Sequence, residues 1–441
     1  MNKIYKTVFN KKTGQLVAVQ ETASSHGQGG TTVEAISSSA SAQGSAKQGL
    51  SLRPLVVALW AAFVTVPLAW TPRSLAAPTG ASVQAGVATI SQSGLATTIR
   101  NSPGTVINWQ SFNIAPNELV KFLQQNADSA VLNRVVGAGG SELLGMLQSN
   151  GRVFLINGNG ILIGPQAQIN TAGFVASTLN ISDRDFVDGR YKFQKGSSSA
   201  DASVTNQGLI QTLPGGMVAL LGDKVANSGM IQVDNGQVLL AAGQSITLSD
   251  LANPTVSMVV TAPANEVVNL GQILAPQSNV QLQGGSVSHS GTINANSTSG
   301  DAQGRVVINA LGGAAVVDGN INANNTAGKG GDIVITGASV QVGASARINA
   351  TGSQGGGSVT IGGGQRGELL TLNGQTQANA QNTTVASGAQ IDVSAVERGD
   401  GGHIVIWGDQ ARVAGALTAR GGSTSGNGGL IETSGHVIDV A

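Results

Sequence analysis

No cysteine occurs among the 441 residues, which excludes disulfides, thiolate metal sites and a cysteine nucleophile. The same absence suits a chain that crosses an oxidising compartment unfolded, where free thiols would cross-link. Aromatic residues make up 3% of the chain and charged residues 10%, both low for a globular enzyme. The apolar stretch at residues 55–69 is shorter than the roughly 20 residues a membrane-spanning helix needs. Formal net charge is zero, but residues 1–76 hold seven Lys/Arg against two Asp/Glu, leaving 16 and 21 for the remainder. The basic excess is confined to the leader, so no nucleic-acid partner is expected.

What is abundant is glycine, at 63 residues, with many Asn, Ser, Thr, Ala and Gln. Hydrophobic residues still reach 41%, mostly Val, Ile, Leu and Ala, enough for a narrow core of medium-sized side chains. Disorder is the competing reading of such a composition, and regularly spaced β-branched triplets argue against it. Five of them are Gly304-Arg-Val-Val-Ile, Gly331-Asp-Ile-Val-Ile, Gly357-Ser-Val-Thr-Ile, Gly402-His-Ile-Val-Ile and Gly429-Leu-Ile-Glu-Thr, with glycines 27, 26, 45 and 27 residues apart. A second phrase alternates with them: Gly208-Leu-Ile210, Gly229-Met-Ile231, Gly271-Gln-Ile273, Gly291-Thr-Ile293 and Gly319-Asn-Ile321, then Ala346-Arg-Ile348, Ala389-Gln-Ile391 and Gly415-Ala-Leu417. A unit of this size cannot bury its apolar face alone and must stack on a neighbour. The expected fold is all-β, a right-handed parallel β-helix whose N-terminal end is capped by residues 80–115. Asn294, Asn309, Asn322 and Asn349 are expected to form amide ladders at the turns. The chain stops inside the repeat at Val437-Ile-Asp-Val440-Ala441, so residues 331–441 are expected to be further rungs of a truncated solenoid.

The leader reads as an address. Arg53 precedes the apolar stretch, and Ser74-Leu-Ala76 supplies the small residues a signal peptidase requires. Cleavage is placed between Ala76 and Ala77, because a cut after Ala77 would be followed by Pro78; an uncleaved anchor is the alternative. Residues 24–49 read as a flexible linker. The first residues, Met1-Asn-Lys-Ile-Tyr-Lys-Thr-Val-Phe-Asn-Lys-Lys-Thr-Gly-Gln-Leu-Val-Ala-Val, closely resemble the extended signal peptide region of large Gram-negative exoproteins.

A second block begins Val106-Ile-Asn-Trp-Gln-Ser-Phe-Asn-Ile114 and Val131-Leu-Asn-Arg-Val-Val136. It continues through Gly151-Arg-Val-Phe-Leu-Ile-Asn-Gly-Asn-Gly-Ile-Leu-Ile-Gly164 to Phe174-Val-Ala-Ser-Thr-Leu-Asn-Ile181. Over roughly residues 80–330 it resembles the secretion domain of two-partner secretion exoproteins of the filamentous haemagglutinin type. The resemblance implies three parts: a cleaved leader at 1–76, a secretion domain at 77–330 and further repeats at 331–441. It implies Sec export and passage through an outer-membrane β-barrel transporter with periplasmic POTRA domains. It also implies a secreted or cell-surface location and an adhesin-like role toward a host protein or glycan. The secretion-motif residues it points to are Asn108, Asn133, Arg134, Asn157, Gly158, Asn159 and Gly160. The tetrapeptide 157–160 is either a turn and nothing more or a direct contact for the transporter. It carries Gly158 where the family usually has proline, and 137–140 is likewise glycine-rich, which loosens both corners.

Near-continuous apolar residues at Val153-Phe-Leu-Ile156 predict burial on both faces, and an aspartate at Ile156 is expected to break the stack and block secretion. No cofactor, metal site or enzymatic activity is expected. His26, His289, His403 and His436 lack metal-ligand spacing, although His403 and His436 hold comparable repeat positions. Asp183-Arg184-Asp185 with Asp188 and Arg190 reads as a solvated loop. Residues 121–123 and 143–147 are the short helix candidates. Alternative functions are a β-helical polysaccharide lyase, which would need clustered carboxylates and a base, and haem acquisition.

Overall fold

The computed structural model describes residues 5–10, 15–20, 76–196, 202–249, 256–260, 265–300 and 302–441. The chain divides into two units, Met1–Trp70 and Thr71–Ala441. In the first, strands Tyr5–Asn10 and Gln15–Gln20 pair antiparallel. The apolar signal stretch, the linker at 24–49 and Ser74 lie outside the described residues.

The second unit is a parallel β-helix with three sheet faces. One face carries the glycine-anchored triplets, and its inward side chains stack in unbroken columns. Val306, Ile333, Val359 and Ile404 are register partners, as are Ile308, Ile335, Ile361 and Ile406 two residues on. All eight are 0% exposed, each contributing about 2–3 kcal/mol of burial. The second phrase supplies another face, where Ile210, Ile231, Ile273, Ile293, Ile321, Ile348, Ile391 and Leu417 follow one another in register. The third face joins the corners between them.

Sterics explain why glycine opens all but the two alanine copies of these phrases, Ala346 and Ala389. A Cβ on Gly331 would lie 2.0 Å from the Gly304 carbonyl oxygen, and one on Gly402 would lie 1.9 Å from that of Gly357. The second phrase repeats the arrangement, with 2.1 Å between a Cβ on Gly271 and the Gly229 oxygen. Backbone of successive rungs approaches too closely at these corners for any side chain.

The N-terminal cap breaks the parallel rule. Strand Ser82–Ala85 runs antiparallel to Thr105–Trp109, and Ala88–Ser93 antiparallel to Ala96–Asn101. Only Leu119–Leu123 and Ala130–Val135 begin parallel stacking. The two expected short helices are strands instead. Residues 121–123 end Leu119–Leu123, and residues 143–147 contribute to Ser141–Leu143 and Met146–Ser149. Their alternation of buried and exposed positions follows the period of two that a half-buried strand imposes.

Two outer layers cover one face of the solenoid. Val153 and Leu155 point into the central spine, whereas Phe154 and Ile156 join a second cluster outside it. That cluster includes Phe186, Phe193, Ile246 and Leu248. It lies under an antiparallel sheet formed by Tyr191–Gln194, Ser245–Leu248 and Val256–Val260. Burial on both faces is thus borne out, but Ile156 belongs to the outer layer and not to the spine. Further along, the hairpin Leu370–Leu372 and Gln375–Gln377 lays Leu372 over Val307 and Val334. Its two-residue turn, Asn373 and Gly374, has positive φ at both positions (51° and 77°), the geometry that matches strand twist in a hairpin.

Candidate functional site

Stacking brings the secretion-motif residues onto adjacent rungs. Asn108, Asn133 and Arg134 lie on Thr105–Trp109 and Ala130–Val135, where Asn108 and Arg134 are register partners. Asn133 is 0% exposed. Its Oδ1 accepts from Trp109 Nε1 at 3.0 Å, and its Nδ2 donates to the Phe154 carbonyl at 3.2 Å. Trp109 in turn meets Phe112 edge-on at 5.5 Å.

Arg134 is a hub. Its Nε donates to Asn180 Oδ1 at 2.9 Å, and Nη1 donates to Asn108 Oδ1 at 3.2 Å and to Asp183 Oδ1 at 2.6 Å. Nη2 donates to the Ile181 carbonyl. The guanidinium thereby ties the solenoid to the segment around Asp183, which is a one-turn helix, Asp183–Val187, and not the expected loop. Ser182 caps it by accepting from the Asp185 N–H at 3.0 Å while donating to Asp185 Oδ2 at 2.8 Å. The Ser182 hydroxyl and the Arg190 guanidinium hold the Asp185 carboxyl below the usual carboxylate range.

The tetrapeptide 157–160 clamps the glycine-rich corner of the preceding rung. Asn157 is 0% exposed; its Nδ2 donates to the Gly139 carbonyl and to Ser141 Oγ, both at 3.0 Å. Its Oδ1 accepts from the Asn159 N–H at 2.9 Å, a local turn in which a side chain mimics backbone. The exposed Asn159 donates through Nδ2 to the Gly137 carbonyl at 3.0 Å. Of the four residues only Gly160 has positive φ, at 111°. The two corners that lack proline are therefore stitched to each other by asparagine amides. Gly137 has no alternative, because a Cβ there would sit 2.0 Å from the Gln110 carbonyl oxygen. Beside this clamp lies a cleft of about 240 Å³ lined by Arg134, Asn159, Asn180, Lys195 and Asp223, with Lys195 Nζ 2.8 Å from Asp223 Oδ2.

The proposed cleavage residues adjoin the cap. The Ala76 N–H donates to Glu118 Oε1 at 3.1 Å, and Glu118 Oε2 accepts from the Ala115 N–H at 2.8 Å.

The strongest amide ladder is one the sequence reading missed. Asn206, Asn227, Asn269 and His289 are register partners on the third face, each at most 1% exposed. Asn206 Nδ2 donates to Asn227 Oδ1 and Asn227 Nδ2 to Asn269 Oδ1, both at 2.8 Å. Asn269 Nδ2 donates to His289 Nδ1 at 3.0 Å, and His289 Nε2 donates to the Asn320 carbonyl at 3.2 Å. The available signal was a polar residue two positions before Gly208, Gly229, Gly271 and Gly291. Of the asparagines expected to ladder, Asn294, Asn322 and Asn349 are register partners, but Asn294 and Asn349 use Oδ1 to accept local N–H groups. Asn309 bridges Thr336 and the hairpin's Gln377. His403 and His436 do not share a register position: His403 faces Leu430, while His436 Nδ1 lies 3.1 Å from Asp409 Oδ1. Among the described residues no group of three or more His, Asp or Glu is arranged to hold a metal ion.

Comparison with known proteins agrees with this architecture. Residues 74–354 match the TPS secretion domain family, and residues 1–52 match the extended signal peptide of type V secretion systems. The solved HMW1 secretion domain from Haemophilus influenzae is 42% identical, with a TM-score of 0.77 over 82% of this chain and 96% of that one. The Heme/hemopexin-binding protein of Haemophilus influenzae strain Rd is 36% identical over 217 residues, 47% of this chain and 24% of that protein. A second Haemophilus influenzae Heme/hemopexin-binding protein is 37% identical over 103 residues, 23% of this chain and 11% of that protein. The chain thus spans about a quarter or less of the length of these curated relatives. A capped, parallel-stacked solenoid behind an extended export signal defines an exoprotein secretion module, a class that is not an enzyme family. The chain belongs to the TPS secretion domain family and is a secreted exoprotein of the Gram-negative type, exported by way of the periplasm.

Proposed function

We propose that this chain is recognised before it folds, by the periplasmic POTRA domains of an outer-membrane β-barrel transporter, and that it stacks into its solenoid outside the cell. Sec export comes first, followed by removal of residues 1–76 between Ala76 and Ala77. The secretion domain then spans 77–330 and further rungs span 331–441. The observation that carries this reading is the burial of Asn133 and Asn157, both 0% exposed and hydrogen-bonded within the domain. A transporter reading these two side chains can reach them only in the extended chain, where unpaired backbone can also add to a sheet edge. The test is a binding assay with the transporter's periplasmic region. Chain diluted from urea is expected to bind and the refolded domain is not; equal binding by the refolded domain overturns the reading. N-terminal sequencing of the secreted product checks the cleavage site.

The whole protein's role is an adhesin-like interaction with a host surface protein or glycan through the long faces of the solenoid, without enzymatic activity. The acidic residues of the 183–190 cluster are engaged in ion pairs, Asp183 with Arg134 and Asp185 with Arg190. Polygalacturonate and alginate are expected to remain uncleaved with or without Ca²⁺. A second reading, haem or hemopexin binding, is supported by the names of the Haemophilus relatives. Titration with haemin, read as a saturating Soret shift, distinguishes it.

A further inference from the structure

We propose that the ladder Asn206, Asn227, Asn269, His289 is an acid-sensitive fastener inside the solenoid, released when a proton reaches Nδ1 of His289. The ladder has a fixed direction. At its start Asn206 Oδ1 accepts from the Gly208 N–H at 3.1 Å, and an N–H can be met only by an acceptor. Asn206 must therefore present its NH₂ to Asn227, and each following amide repeats that orientation. The last NH₂ meets Nδ1 of His289, which must be an unprotonated acceptor, leaving Nε2–H for the Asn320 carbonyl.

A protonated imidazole has two donors and no acceptor, so Asn269 Nδ2 and His289 Nδ1 would then confront each other with hydrogens. Reversing all three asparagine amides relieves that contact and moves the conflict to the other end, where the Asn206 NH₂ would face the Gly208 N–H. Either arrangement leaves a buried donor unsatisfied, and among the described residues no carboxylate pairs with the imidazole. The same column is Ile163 before Asn206 and Val317 after His289. The charged residues on or next to the strands packed against His289 are Glu266, Arg305 and Asp318. Glu266 and Arg305 begin their strands, at the ends remote from this position, and Asp318 meets His289 through its backbone N–H. The groups bonded to the imidazole are Asn269 and the Asn320 carbonyl.

Burial pushes the His289 pKa down to about 4, against the opposing effect of the Asn320 and Asn269 backbone. The unfolded chain titrates near 6.5 and so binds the proton first. Ladder stability is complete above pH 6.5 and is lost progressively as the pH falls from 6.5 toward 4.

Urea unfolding of the secreted protein at pH 7.5 and 5.0, beside His289→Asn, tests the proposal. Asparagine at 289 prolongs the ladder without a titratable group. Between the two pH values the folding equilibrium constant of the parent is expected to fall roughly 30-fold further than that of the variant. Equal pH dependence of the two overturns the proposal. Should the variant not fold, ¹⁵N spectra of the parent decide. Support is an unprotonated Nδ1 on His289 titrating well below pH 6, with the Gly208 backbone amide shifting at the same midpoint. A midpoint near 6.5, or a Gly208 amide indifferent to it, overturns the proposal.

Discussion

At the residue scale the domain depends on a few polar side chains that hold apolar layers in register. Arg134 is the plainest case, because four acceptors converge on one guanidinium whose side chain is 15% exposed. A lysine offers a point charge in place of a planar fork. Arg134→Lys is therefore expected to lower stability by about 2 kcal/mol in urea unfolding, with protease sensitivity rising first around residues 183–194. The ladder amides are equally exacting. Asn227→Ala removes the partner of both Asn206 and Asn269, two buried groups whose desolvation then goes uncompensated. The expected loss is about 2–4 kcal/mol by the same measurement. These residues were only half legible in the sequence. The motif marked Asn133, Arg134 and Asn157, but their partners lie on other rungs, and Asp183 is 49 positions away from the arginine it binds.

At the scale of elements the pattern was far more legible. Glycine followed by a β-branched triplet located the inward columns residue by residue, because stacking repeats one steric demand at every turn. The outer layers were less so. An apolar run such as 153–156 announces burial on two sides, yet nothing local tells which side meets the spine. Leu155 is in the spine and Ile156 is under the outer sheet, which separates two substitutions one residue apart. Leu155→Asp is expected to abolish secretion and leave periplasmic degradation products, since a charge in the column stops stacking. Ile156→Asp is expected to leave the rungs intact, permit secretion at a reduced level and expose the segment from Asp183 to Gln194 to protease. Immunoblots of periplasm and medium distinguish the two. The helix candidates at 121–123 and 143–147 failed for a related reason. Leu, Lys and Met suit a helix by propensity, but neighbouring rungs on both sides claimed their backbone groups for strand pairing.

At the scale of the whole molecule, the proposed export of an unfolded chain requires that no two rungs be joined beforehand, and a chain without cysteine meets that requirement. Gln211 and Gln232 are register partners on successive turns, at the inter-strand spacing of about 4.8 Å that falls within disulfide reach. The double variant Gln211→Cys/Gln232→Cys is expected to stall in the periplasm under oxidising conditions and to be secreted when reductant is present. Either cysteine alone is expected to export at the parental level, as read by the secreted fraction. The cap then acquires a meaning that its packing alone does not express. Strands 82–85 and 88–93 close the leading tip with reversed neighbours, so accretion has one open direction. On the proposed stacking outside the cell, the rod would lengthen from its trailing side like a crystal seeded on a single facet, each new layer finding its template already laid down.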